Sequence, residues 1–278
     1  MDTISVWGFV ALAVAATLVG FSKTAVSGAN TVSLAVFAAV LPARESTGVL
    51  LPVLIVGDVL AVLTYRRHAH WPTLWRLFPA VAVGVLAGTA FLLLADDDAV
   101  RTSIGAILLL MAGVTVWRRR STIRREKQAE AAEATEPPET RQAADGESAA
   151  TDGPEGTRSQ AGRIKARLYG VLGGFTTMVA NAGGPVMSLY LLSAGFQKLG
   201  FLGTSAWFFL IVNTTKVPFS VGLGLIDGRS LLLDAALALF VIPGAFIGKA
   251  CVNRINQRLF ERLVIAATVL GGAELLLR

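Results

Sequence analysis

Lys23 is the residue of this chain that most needs a chemical reason. It stands in GFSKTAVSGAN (Gly20–Asn30), between the apolar runs Ile4–Val19 and Thr31–Leu41. A second lysine, Lys216, lies inside another apolar run, and Asp58 is the one acid well inside any of them. An unpaired ammonium in hydrocarbon is costly, so each lysine calls for a carboxylate or a bound anion. Two arrangements meet that demand. In one, a lysine pairs with Asp58 while the other snorkels to an interface. In the other, an anion sits against at least one lysine, because two ammonium groups face a single mid-span carboxylate. Asp58 is also the candidate proton carrier, since intramembrane carboxylates relay protons.

The neighbours of these charges suit an anion. Ser27, Gly28 and Asn30 precede a short apolar segment, and NAGGP (Asn181–Pro185) precedes another. A helix that starts inside a membrane points free N–H groups and a partial positive charge into its surroundings, and an anion is the natural guest. Gly183 and Gly184 let backbone approach closely, and Pro185 suits a first helical position.

The elements that must position these residues follow from composition. The 278 residues are 54% hydrophobic and only 16% charged, where soluble domains carry about a quarter charged. Apolar runs of membrane-spanning length make up most of the chain. The expected fold class is an all-α polytopic membrane protein. The first run has no basic leader and no small-residue cleavage site, so it is kept as a span. A single cysteine, Cys251, excludes an internal disulfide. The net charge of +6 reads as basic cytoplasmic loops rather than a nucleic-acid surface.

An internal repeat organises the chain. GFSKTAVSGANTVSL (Gly20–Leu34) returns as GFTTMVANAGGPVMSL (Gly174–Leu189), and in that register Gly48 meets Gly203 and Asp58 meets Asn213. Later, GVLAG (Gly84–Gly88) meets GAFIG (Gly244–Gly248). The expected units are a first repeat over 1–120, a disordered linker over 121–162 and a second repeat over 163–278. The linker has almost no large apolar residues and cannot bury a core. Each repeat reads as a hairpin plus three spans: about 4–20 with 30–41, then 48–65, 74–94 and 100–117, and about 167–180 with 185–195, then 201–222, 230–248 and 259–277. The pieces 30–41, 167–180 and 185–195 are too short to cross hydrocarbon about 30 Å thick, so the hairpins should turn at membrane depth, which needs surrounding protein or a water-filled cavity.

With both termini outside and each hairpin returning to its own side, nineteen of the 25 lysine and arginine residues fall on the inside, as the positive-inside rule requires. Each half then makes an odd number of crossings, which inverts the second repeat. Trp71, Trp75 and Trp117 fall at the inner boundary and Trp7 at the outer, where aromatic belts sit. Trp207 lies deeper, as a packing residue. Two inverted hairpins meeting near the midplane are how many secondary transporters build a substrate site.

Other functions find little support. His68 and His70 share a basic loop without cysteine or carboxylate partners, so no metal is expected. No H-E-x-x-H, G-x-S-x-G or G-x-x-x-x-G-K-[ST] occurs, so neither an enzyme, a cofactor nor ATP drive within this chain is expected. An anion channel would use the same helix ends and lysines, and the sequence does not separate it from a carrier.

The hairpin motif near the N-terminus, its echo GFTTMVANAGGPVMSLYLL, the polar linker and the late PGAFIGK resemble the sulfite exporter TauE/SafE family of bacterial membrane proteins. The resemblance implies a multi-pass inner-membrane carrier of sulfite, organosulfonates or related small sulfur anions. It implies a site on the two hairpins: Ser22, Lys23, Ser27 and Asn30 in one, Thr176, Asn181, Gly183 and Gly184 in the other. Asn213 and Lys216 complete the expected substrate site. The expected partners are that anion and the lipid bilayer, and a homodimer is compatible with the architecture.

Overall fold

The computed structural model describes residues 5–25, 30–96, 160–226 and 228–254, with isolated positions between 99 and 106 and at 259 and 262. Among the described residues every regular element is helical. They are α1 (Val6–Thr24), α2 (Asn30–Val40), α3 (Ala43–Tyr65), a 3-10 turn (Arg66–His68), α4 (Trp71–Leu94), α5 (Gln160–Ala180), α6 (Gly183–Ser193), α7 (Lys198–Gly222) and α8 (Gly228–Arg254). Most of the expected spans 100–117 and 259–277 and nearly all of the 121–162 linker lie outside the described residues.

Four segments, Val6–Thr24, Glu45–His68, Trp71–Leu94 and Ser230–Val252, are long and apolar enough to cross a membrane. Helices α2 and α6 have 11 residues each, about 16 Å or half a hydrocarbon core. The exterior is apolar, with Leu94 88% exposed, Leu232 77% and Phe246 66%, while Asp58 is 0% and Lys216 1% exposed. In water that distribution would be inverted. This is a multi-pass membrane protein.

Several boundaries differ from the expected ones, α3 beginning at Ala43 and α8 ending at Arg254 among them. The piece expected over 167–180 is a 21-residue helix from Gln160, because the basic stretch QAGRIKAR continues the helix beyond the apolar run. Only α2 and α6 are therefore half-length. Helix α1 also runs on to Thr24, which puts Lys23 in a last helical turn rather than in a loop. Pro185 is the third residue of α6, behind Gly183 and Gly184.

The helices pack through glycines, whose missing side chains let backbones meet. A Cβ on Gly244 would lie 1.9 Å from Thr17 O, and one on Gly248 2.8 Å from Phe21 O, so α8 runs parallel to α1. A Cβ on Gly84 would lie 2.2 Å from Val171 O, and one on Gly88 2.8 Å from Met178 Cβ, so α4 runs parallel to α5. Helices α3 and α7 cross antiparallel. Gly48 abuts Leu225 at the far end of α7, and Gly203 abuts Tyr65 and His68 at the far end of α3.

Candidate functional site

The two short helices begin beside one cavity. Helix α1 ends at Thr24, where the backbone carbonyl accepts a hydrogen bond from the Tyr65 hydroxyl at 2.8 Å. Helix α2 then begins at Asn30. Helix α5 ends at Ala180, and Asn181 takes the left-handed conformation (φ 51°), which asparagine tolerates better than most residues. Its N–H bonds Thr177 O and that of Ala182 bonds Thr176 O, closing the turn. The Asn181 side chain fixes the turn against α3, since Nδ2 donates to Thr47 O at 2.9 Å.

The cavity is lined by Lys23, Asn30, Asp58, Thr177, Asn181, Gly184, Ser205 and Asn213, with Leu54, Ala206 and Phe209 as its apolar wall. Its free space is about 20 Å³, room for a single water-sized guest. Lys23 Nζ pairs with Asp58 Oδ1 at 2.6 Å and lies 4.4 Å from the centroid of the Phe209 ring. Asn213 Nδ2 donates to Asp58 Oδ2 at 2.7 Å. Lys216 does not snorkel. It is buried and donates to Thr177 O and Asn181 Oδ1, each at 2.6 Å, with Asn213 Oδ1 at 3.5 Å. Its ammonium thus caps the carbonyl end of α5, where the helix carries partial negative charge.

Two polar atoms on the cavity wall, Asn30 Oδ1 and Ser205 Oγ, are buried without a hydrogen-bond partner. Asn30 is the first residue of α2 and Gly184 the second of α6, so both helix N-termini border the same space. With both lysines and Asp58 ionised, the buried cluster carries one positive charge in excess. A surplus ammonium and the positive ends of two helices favour an anion over a cation in such a space.

Of the residues expected at the site, Lys23, Asn30, Asp58, Asn181, Gly184 and Asn213 meet at the cavity. Lys216 stands behind that wall, against Thr177 and Asn181. Ser22 is buried on α1 and does not line the space. Thr176 turns away, its hydroxyl donating to Leu172 O at 2.7 Å. Gly183 packs on Thr177, 2.9 Å from its Cβ to an added methyl. Ser27 and Gly28 lie outside the described residues. Thr177, Ser205 and Phe209 were not expected. Thr177 differs from Thr176 only by facing the other side of α5, and Ser205 stands about two helical turns before the repeat-matched Asn213.

The description "sulfite exporter TauE/SafE" matches residues 12–275 of the chain. No curated protein and no solved structure matches it. The matched span holds every residue that lines the cavity. The chain belongs to the sulfite exporter TauE/SafE family of membrane transporters.

Proposed function

We propose that this chain is a secondary transporter that exports small sulfur-containing anions, sulfite or an organosulfonate, across a bacterial inner membrane. It works by alternating access around the cavity between the two helix turns. The observation that carries this reading is the enclosed cluster of two lysines against one carboxylate, with the first turns of α2 and α6 at its edge.

The architecture is two inverted repeats, residues 1–120 and 163–278, joined by a cytoplasmic linker, with both termini outside. Reciprocal packing supports it. The GFS motif of the first half receives GAFIG of the second, and the GFT motif of the second receives GVLAG of the first. The repeat-matched residues Asp58 and Asn213 hydrogen-bond each other across antiparallel helices.

In transport, Lys23 exchanges partners. Asp58 holds it when no substrate is present. An incoming anion competes for the ammonium while Asn30, Ser205 and backbone N–H groups complete its shell. The carboxylate released from Lys23 is then free to take a proton, which couples anion movement to proton movement. Substrate contacts also involve Asn181, Gly184 and Asn213, together with Ser27 and Gly28. Lys216 holds the α5 turn in shape, and one repeat rocks against the other.

The test is flux in proteoliposomes with sulfite, sulfate, sulfoacetate, taurine and thiosulfate. Saturable uptake of sulfite or a sulfonate that responds to an imposed pH gradient is expected. Ohmic single-channel currents would assign the protein to channels, and movement of none of the sulfur anions would remove the substrate class.

A further inference from the structure

A larger cavity of about 500 Å³ lies between the N-terminal halves of α4 and α5 and shares no lining residue with the hairpin cavity. Helices α4 and α5 run parallel, so the partial positive charge at both N-terminal ends comes to the same side. Three guanidinium groups, Arg76, Arg163 and Arg167, line that end. Basic residues near a helix N-terminus run against the dipole, which favours acids there. Neither Arg163 nor Arg167 has a carboxylate partner among the described residues.

A second observation points to a ligand. Tyr190, from α6, lines the cavity, is 3% exposed, and its hydroxyl has no hydrogen-bond partner. A buried hydroxyl left unsatisfied costs about 1–3 kcal/mol, which an acceptor in the cavity would relieve. The rest of the wall is apolar and opens on the exterior of the bundle, with Trp75 69% and Val83 57% exposed. Cationic groups beside a half-exposed indole and an apolar groove match a phospholipid at a membrane interface.

We propose that this cavity binds the phosphate headgroup of an anionic phospholipid, with an acyl chain along Val83 and Val171. Arginine suits phosphate through paired N–H donors, and the Tyr190 hydroxyl donates to the same phosphate. Free phosphate would use the guanidinium groups but not the apolar wall. The acid-rich linker, Glu126 to Glu155, would also use the charges alone.

The experiment is native mass spectrometry of the full chain in neutral detergent. Phosphatidylglycerol and phosphatidylcholine with identical acyl chains compete for binding. Roughly tenfold preferential retention of phosphatidylglycerol is expected, falling to parity in Arg163→Gln/Arg167→Gln and weakening in Tyr190→Phe. Should the double variant fail to fold, the wild-type preference must still shrink as salt is raised. Equal retention of the two lipids, as when the linker fills the cavity, overturns the proposal. So does an unchanged preference in the folded double variant. Complete displacement of phosphatidylglycerol by millimolar inorganic phosphate assigns the cavity to a soluble anion instead.

Discussion

Asp58 accepts from Asn213 Nδ2 on one carboxylate oxygen at 2.7 Å and pairs with Lys23 on the other at 2.6 Å. One wholly buried carboxylate therefore ties α1, α3 and α7 together at the cavity. Its two partners are unequal, because one carries charge and the other does not. Burying two charges is repaid only when both remain.

Lys23→Met leaves the carboxylate uncompensated and should cost about 3–5 kcal/mol. Asn213→Leu removes a neutral donor to a charged acceptor and should cost about 1.5–3 kcal/mol. Lys23→Met/Asp58→Leu removes both charges and should regain most of the lost stability while flux stays near zero. Thermal unfolding in detergent and proteoliposome flux read the two effects separately. A double variant no more stable than Lys23→Met would mean that the pair does not join α1 to α3, and wild-type flux in it would remove both residues from transport.

Lys216→Met strips the donor from Thr177 O and Asn181 Oδ1, at about 1–3 kcal/mol for each buried acceptor left unmade. The turn itself can be tested at Asn181. Asn181→Gly keeps the left-handed backbone and loses only the side-chain bonds. Asn181→Val adds the strain of a β-branched residue at positive φ, so it should unfold at a lower temperature than Asn181→Gly. Equal melting temperatures for the two variants would show that the φ of 51° is not what limits this position.

Much of this site could be read from residue type because charge in hydrocarbon is so costly. Lys23, Asp58 and Lys216 each announced a need for a partner. The repeat register aligns Asp58 with Asn213, and only the packing of α3 on α7 shows that the two touch. What the sequence left open was which lysine takes the carboxylate. Helical phase decides it: Lys23 lies on the last turn of α1, facing α3, while Lys216 faces the end of α5. Thr177 and Ser205 escaped notice because hydroxyls are common in such helices, and a periodic apolar run does not reveal which of two adjacent threonines points inward. The start of α5 lies ahead of its apolar run for a related reason. An amphipathic, basic helical turn continues past the apolar run that length-based reading detects.

His70 supplies a pH dependence outside the spans. Its backbone N–H donates to Thr204 Oγ1 at 3.0 Å, and its Nδ1 lies 2.8 Å from Thr73 Oγ1. Burial first, and then the Arg76 charge, hold the ring below its usual pKa of 6.5. The fold therefore favours the neutral imidazole. That contribution is complete above about pH 6.5 and is lost as pH falls through the lower folded value. The ring is partly exposed, so the loss should stay below about 1 kcal/mol. Melting temperatures between pH 8 and pH 5 should fall more steeply for wild type than for His70→Asn. Parallel curves would show that His70 does not titrate with unfolding.

The reciprocal glycine contacts make the sharpest structural prediction. In Gly244→Ala the new Cβ would stand 1.9 Å from Thr17 O, and in Gly84→Ala 2.2 Å from Val171 O, both backbone atoms. Backbone cannot yield as a flexible side chain can, so the helices must part. Such overpacking costs about 1–3 kcal/mol or more. Gly222→Ala is the matched control, with nothing within 4 Å of its added methyl, and should be neutral or slightly stabilising, since alanine favours helix over glycine. Because each contact joins one half of the chain to the other, Gly84→Ala and Gly244→Ala should lower flux by more than their loss of folded protein accounts for. Normalising initial transport rates to folded protein, measured by size-exclusion chromatography, separates the two effects. Wild-type rates per folded molecule in both variants would show that the halves need not pack this closely to exchange access.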